Sequence, residues 1–157
     1  MRFVLHLLVA VSSLLTAPSP ASAAPLHDAT SDLRQVEHLM YAVTMTQFVT
    51  AVNAGSDRLD TSTDWCSAPL VGSTGRSFDF RNACRRHDFG YRNLRLLDRR
   101  YSPTKSTYWT AASRSRVDQK FLADMRSHCN ARPWYESATC LGWAETFYTA
   151  VRTFGGP

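Results

Sequence analysis

The chain has 157 residues, enough for one modest hydrophobic core and too few to divide ordinarily into two domains. Its hydrophobic content of 44% is that of a globular protein rather than a disordered one, and its formal net charge of +5 points to an anionic partner, either nucleic acid or the phosphate face of a membrane. Much of that charge is arginine (Arg81, Arg85, Arg86, Arg92, Arg95, Arg99, Arg100, Arg114, Arg116), which suits bidentate phosphate contacts and equally well a solvated helix face.

Arg2, an apolar run from Phe3 to Leu15 and the small-residue stretch Pro18-Ser19-Pro20-Ala21-Ser22-Ala23 form a secretory signal peptide, expected over residues 1–23. The mature domain is expected over residues 24–157, without its Arg2 charge and still basic. Neither the apolar run nor any later stretch is long enough to span a bilayer, so the expectation is a secreted, extracellular, soluble protein. In that oxidising setting Cys66, Cys84, Cys129 and Cys140 read as two disulfides supplementing a thin core, with three possible pairings. The local pairs Cys66–Cys84 and Cys129–Cys140 are favoured, each restricting the unfolded chain by about 3 kcal/mol. No CxxC spacing supports zinc.

Along the mature chain, Ala24 to Thr30 reads as a loose arm. Leu33, Val36, Met40 and Val43 then recur at helical spacing, predicting one helix that runs into Phe48 and Val52 and stops near Asn53-Ala54-Gly55-Ser56. From there to Ser77, with Pro69, Gly72 and Gly75, no period is sustained, which marks a long functional or disordered loop. Asp64-Trp65-Cys66 lies within it.

A second helical pattern places Phe80, Cys84, His87, Tyr91 and Leu94 on one stripe, so His87 falls on the buried face with Asp88 a quarter turn away. An imidazole and a carboxylate so placed can serve one cleft as base and as cation ligand; for the dipeptide alone the bland reading, a core histidine beside a solvated aspartate, is heavily favoured, so a catalytic role depends on the rest of the chain. The Cys66–Cys84 pairing would bring Asp64 and the Trp65 carbonyl to Asp88. After a polar connection from Asp98 through Tyr108-Trp109, a helix from Ser113 to Cys129 carries Phe121, Leu122, Met125 and Cys129 as its stripe, with Asp118 in its middle and Asp124 well away from it. A carboxylate on a buried face requires a partner, and His87 is the candidate. After a loop from Asn130 to Glu136, a last helix presents Cys140, Trp143, Phe147, Val151 and Phe154 as its core face and stops at Gly155-Gly156. With no alternating strand pattern and no repeat, the fold class is all-α.

The combination of Asp64-Trp65-Cys66, Phe78-Asp79-Phe80, Asn82-Ala83-Cys84, His87-Asp88-Phe89-Gly90-Tyr91-Arg92-Asn93, Arg116-Val117-Asp118 and the pair Cys129 and Cys140 resembles the secreted phospholipases A2 of bacteria and fungi over most of the mature chain. The resemblance implies a small disulfide-stabilised helical domain with two antiparallel catalytic helices and a calcium-binding loop. It implies Ca²⁺-dependent hydrolysis of the sn-2 ester of glycerophospholipids, with a free fatty acid and a lysophospholipid as products. Carried over by position, His87 is the catalytic base and Asp118 its orienting partner. Asp64, the Trp65 carbonyl and Asp88 are the calcium ligands. The glycine-rich calcium loop of the animal enzymes is absent, and Trp65 stands where a smaller aliphatic residue is expected.

The expected partner is a phospholipid surface, met peripherally by a monomer, with no nucleic acid. Two other readings compete. One is a secreted metal-dependent nuclease that uses Tyr101, Tyr108 and Trp109 beside Arg99, Arg100 and Lys105, residues that read more simply as a membrane-facing rim. The other is a non-catalytic phospholipase-like lipid-binding protein or toxin, which a broken His-Asp pair would mark; here the pair is intact.

Overall fold

The computed structural model describes residues 28–66 and 78–155. The expected signal peptide, and the part of the long loop that holds Pro69, Gly72 and Gly75, lie outside them. Among the described residues the structure is helical: α1 (Ala29–Glu37) runs into a π-helical turn (His38–Ala42), followed by α2 (Met45–Asn53), α3 (Arg81–Tyr101), α4 (Ala111–Asn130) and α5 (Trp134–Phe154). None of these helices is long and apolar enough to cross a membrane.

Local chemistry sets the helix starts. Asp28 with Ser31, Thr44 with Gln47 and Thr110 with Ser113 each form a reciprocal capping box, which satisfies main-chain donors at the starts of α1, α2 and α4. The Thr44 box explains why the single helix expected from Leu33 to Val52 is two. Val43 is extended (φ −110°, ψ 154°), and Thr44 begins a new helix where the apolar spacing alone reads through. The expected stop holds: α2 ends at Asn53, and Gly55 takes a left-handed φ of +79°.

The other boundaries also move. The connection expected from Asp98 is helical as far as Tyr101, and the loop before α5 shrinks to 131–133 because Pro133 sits at the N-cap of α5. Asp98 instead pins the connection, its carboxylate accepting from the main-chain N–H of Thr107, Tyr108 and Trp109 at 2.7–2.9 Å. These bonds outweigh burial and hold its carboxyl below the usual range. The aromatic rim expected here is overturned. Trp109 is buried with the Arg95 guanidinium 4.6 Å from its ring centroid, Tyr101 donates to Asp32, and Tyr108 is half-buried against the core.

Helices α3 and α4 run antiparallel, and α5 returns along α4. Phe80, Phe121, Met125 and Phe147 fill the space among these three helices, next to both disulfides, while Phe48, Phe89 and Leu97 pack with α1 on the other side of α3. Cys66–Cys84 and Cys129–Cys140 form as favoured, with Cα–Cα distances of 5.3 and 5.4 Å. Gly90 permits the close approach of α3 to its neighbours: a Cβ there would lie 2.9 Å from Val117 Cγ1 and 3.0 Å from Met40 Sδ.

Two apolarity expectations fail. Phe154 is 61% exposed, although Val151 in the same last turn of α5 packs on the core. Arg86, grouped with the phosphate-contacting or solvated arginines, is 1% exposed: its guanidinium stacks 4.8 Å from the Phe48 centroid and reaches Asp124 at 3.4 Å.

Candidate active site

His87 and Asp118 meet where α3 and α4 cross. Each lies on the stripe its own helix buries, so the packing that forms the core also brings the two polar groups together. His87 Nε2 lies 2.9 Å from Asp118 Oδ1, in a site where His87 is 8% exposed and Asp118 fully buried. The carboxylate is multiply held. Tyr91 donates its hydroxyl proton to Oδ1 at 2.5 Å, Arg152 Nη1 donates to Oδ2 at 2.8 Å, and Arg114 Nε stands 3.7 Å from Oδ2. Burial alone would raise the Asp118 pKa, but the bonds from His87, Tyr91 and Arg152 outweigh it and hold the carboxyl below the usual range.

An ionised Asp118 is an acceptor only, so Nε2 of a neutral His87 carries the ring proton and Nδ1 is the basic nitrogen. Nδ1 makes no hydrogen bond among the described residues. Phe121 and Tyr91 pack against the ring, their planes tilted 41° to it and their centroids 4.8 and 4.1 Å away. Burial first and then the bond to Asp118 push the Tyr91 phenol well above its ordinary pKa, so it remains a donor.

Asp88, a quarter turn along α3, faces the segment that precedes Cys66. Its Oδ2 accepts from the Thr63 hydroxyl at 2.5 Å and from the Asp64 main-chain N–H at 3.2 Å. Asn93, fully buried, holds the start of the same segment at Asp60, and the Cys66–Cys84 disulfide holds its end. Of the three sequence-predicted oxygen donors, Asp64 reaches Asp88 through its main-chain N–H while its exposed carboxylate lies 3.6 Å from Arg92 Nη2, and Trp65 follows it in the same segment. Trp65 has a φ of +61°, a left-handed conformation rare for a bulky side chain and found where surrounding structure imposes it.

Burial pushes the Asp88 carboxyl up to about 7; the Asp64 charge adds to the shift and the Thr63 hydroxyl opposes it. A half-buried Asp88 carboxylate and the exposed Asp64 carboxylate of the adjoining segment are hard oxygen donors of the kind a divalent cation such as Ca²⁺ takes. Among the described residues no three His, Cys, Asp or Glu side chains gather as a metal site, so further ligands would be main-chain oxygens and water.

Sequence reasoning missed Arg152, Arg114, Tyr91, Thr63 and Asn93 as contributors to this site. Tyr91 had a signal, since it shares the stripe of His87 one turn on. Arg152 had none, because its role depends on how the end of α5 returns over α4.

The profile of the prokaryotic phospholipase A2 family matches residues 36–155, a span that includes every residue of this site. The secretory phospholipase A2 of Arthroderma benhamiae is 31% identical over 159 aligned positions, covering 99% of this chain and 97% of the relative. The secretory phospholipase A2 of Beauveria bassiana is 37% identical over 100 positions, covering 64% of this chain and 46% of that longer protein. An all-helical, two-disulfide domain with a buried His-Asp pair, matched along nearly its whole length, belongs to the prokaryotic phospholipase A2 family of enzymes.

Proposed function

We propose that this chain is a secreted, Ca²⁺-dependent phospholipase A2 that releases the sn-2 fatty acid of glycerophospholipids by direct attack of water. The observation that carries the reading is the bond from His87 Nε2 to Asp118 Oδ1, which leaves Nδ1 as the base.

In this mechanism Nδ1 of His87 takes a proton from water as the water attacks the ester carbonyl carbon, and later returns it to the leaving glycerol oxygen. Asp118 holds the ring orientation and stabilises the imidazolium formed midway. Tyr91 and Arg152 keep Asp118 ionised and fixed. Asp64, the Trp65 carbonyl and Asp88 would hold calcium, which supplies charge stabilisation for the carbonyl oxygen as it becomes an oxyanion. Trp65, 42% exposed with the Arg85 guanidinium 5.8 Å from its ring centroid, joins an amphipathic ring to a cation beside the carboxylates, a combination suited to lipid headgroups. Export is supported by the apolar leader and by the secretory relatives.

Fatty-acid release from phospholipid mixed micelles, measured with and without a calcium chelator, tests the reading. Release that stops with chelator and returns with added Ca²⁺ is expected. Release indifferent to the chelator would remove calcium from the mechanism, and absence of release at any calcium level would remove the activity.

A further inference from the structure

The last turn of α5 closes on the dyad in a way the two catalytic helices do not require. Arg152 Nη1 donates to Asp118 Oδ2 at 2.8 Å, so the carboxylate is gripped at one oxygen by α5 and at the other by His87 and Tyr91 of α3. Arg114 ties the same turn down. Its Nη2 donates to the carbonyls of Val151 and Arg152 at 3.0 and 2.8 Å, satisfying carbonyls at the end of α5, while its Nε donates to the Tyr91 hydroxyl at 3.3 Å. Gly155 completes the closure, since a Cβ there would lie 2.5 Å from the Val151 carbonyl oxygen and 3.1 Å from the Tyr91 hydroxyl.

On the reading of His87 and Asp118 as the reacting pair, we propose that Arg152 is a positioning residue for hydrolysis, and that the Arg152–Gly155 turn, anchored by Arg114, is a working part of the active site. A carboxylate bonded only through Oδ1 can rotate about its Cβ–Cγ bond and carry that oxygen away from Nε2. The bond from Arg152 to Oδ2 removes this freedom. In this role Arg152 acts through Asp118.

The test uses the full mature chain and a monomeric short-chain phosphatidylcholine, so that surface binding does not enter the kinetics. Arg152→Gln is expected to lower kcat about 10- to 100-fold, the scale set by sub-ångström misplacement of a reacting group, with KM within about twofold. Arg152→Lys, which keeps a cation within reach of Oδ2, is expected to recover most of the loss. In protein labelled with ¹⁵N-histidine, the downfield proton on His87 Nε2 is expected to shift upfield or broaden in Arg152→Gln and to return in Arg152→Lys. Gly155→Ala, which leaves every charge in place and displaces the turn from Tyr91, should lower kcat in the same sense by a smaller factor. An unchanged kcat or an unchanged Nε2 proton in Arg152→Gln overturns the proposal, as does a loss that Arg152→Lys shares in full. His87→Ala separates the two levels: if it retains turnover, the reacting pair itself is misassigned, whereas if it is inactive and Arg152→Gln is normal, only the role of Arg152 falls.

Discussion

The side-chain amide of Asn93 holds both main-chain polar groups of Asp60: Oδ1 accepts from the Asp60 N–H at 2.8 Å, and Nδ2 donates to the Asp60 carbonyl at 2.8 Å. Nδ2 also donates to the Phe89 carbonyl one turn back, so a fully buried side chain mimics a strand partner for the segment that carries Asp64 and Trp65. Together with the Cys66–Cys84 disulfide, it fixes that segment against Asp88 from both ends.

Asn93→Ala leaves two main-chain groups of Asp60 without partners and opens a small cavity. A stability loss of about 3 kcal/mol is expected in urea denaturation. Calcium affinity should fall as well, because the freed segment carries two of the proposed ligands. A variant with the stability loss and unchanged calcium affinity would show that Asn93 serves the fold alone.

Asp88→Asn tests the metal site directly. The change removes a charge from the donor set while keeping an oxygen, and calorimetric titration should show Ca²⁺ affinity reduced at least about 10- to 100-fold, the loss that follows removal of even a supporting partner at metal sites. Mg²⁺ should substitute poorly in the parent protein, since it demands a tighter octahedron than two carboxylates and a main-chain oxygen on separate elements supply. Unchanged affinity in Asp88→Asn would take this residue out of the site.

The local geometry of the site was legible in the sequence to the extent that it follows helical phase. His87 and Asp118 each break an apolar stripe, and packing the two stripes together forces them to meet. The Cys66–Cys84 pairing was legible as the shorter closure, and with it the approach of Asp64 to Asp88. What phase cannot show is a long side chain reaching across elements. Arg86 reads as a surface residue by its neighbours, yet it is drawn inward by the Phe48 ring and Asp124; Arg152 reads as the exposed basic end of a helix, yet it bonds a buried carboxylate 34 positions away. The break at Val43 was hidden for a different reason: a threonine cap inside an apolar run leaves the period nearly undisturbed.

Stability should fall in acid through specific carboxylates. Burial would raise the pKa of Asp32, but the bonds from Tyr101 and Arg58 and the charges of Arg58 and Arg100 outweigh it, holding it, like Asp118, below the ordinary value. A group whose pKa is lower folded than unfolded contributes stability that is complete above the unfolded value, near pH 4, and is lost as pH falls through the folded value. The contribution of Asp32 and Asp118 should therefore hold from about pH 6 to 5 and be lost below about pH 4. Asp88, its carboxyl pushed up to about 7, works the other way and adds stability as pH falls from about 7 to 4, so the urea midpoint should rise slightly before it declines below about pH 4. Asp32→Asn should be less stable at pH 6 and decline less steeply in acid; an equally steep decline would mean that other groups carry the acid sensitivity.

Gly90→Ala tests the close approach at the middle of α3. Alanine is better than glycine in a helix by about 1 kcal/mol, so a site with free space would be stabilised. Here the new methyl meets Val117 Cγ1, a stiff β-branched side chain in a filled core, and Met40 can yield on one side only. A net destabilisation of about 1–2 kcal/mol in denaturant titration is expected. A stabilised variant would show that the α3–α4 contact relaxes at little cost.

Asp118→Asn and Asp124→Asn, six residues apart on α4, separate chemistry from fold. Asp118→Asn keeps the shape of the side chain but replaces an acceptor by an amide, so the imidazole loses the partner that fixes its tautomer. Where an aspartate orients a catalytic histidine in a serine triad, the same change costs about 10⁴ in turnover; attack by water on a different scaffold sets a smaller but still large loss here. By phase alone Asp124 serves as a silent control, since it points away from His87. The structure changes that expectation: Asp124 is the anion for the buried Arg86 at 3.4 Å and for Lys120 at 2.7 Å. Neutralising it leaves a guanidinium buried without a counter-charge, and a stability loss of roughly 1–3 kcal/mol is expected in urea denaturation. Turnover per folded molecule should stay near that of the parent, because Asp124 and Arg86 make no bond to His87, Asp118 or Asp88. Fatty-acid release measured well below the unfolding midpoint should therefore be largely lost in Asp118→Asn and retained in Asp124→Asn. The reverse pattern would assign the histidine's partner to the wrong face of α4.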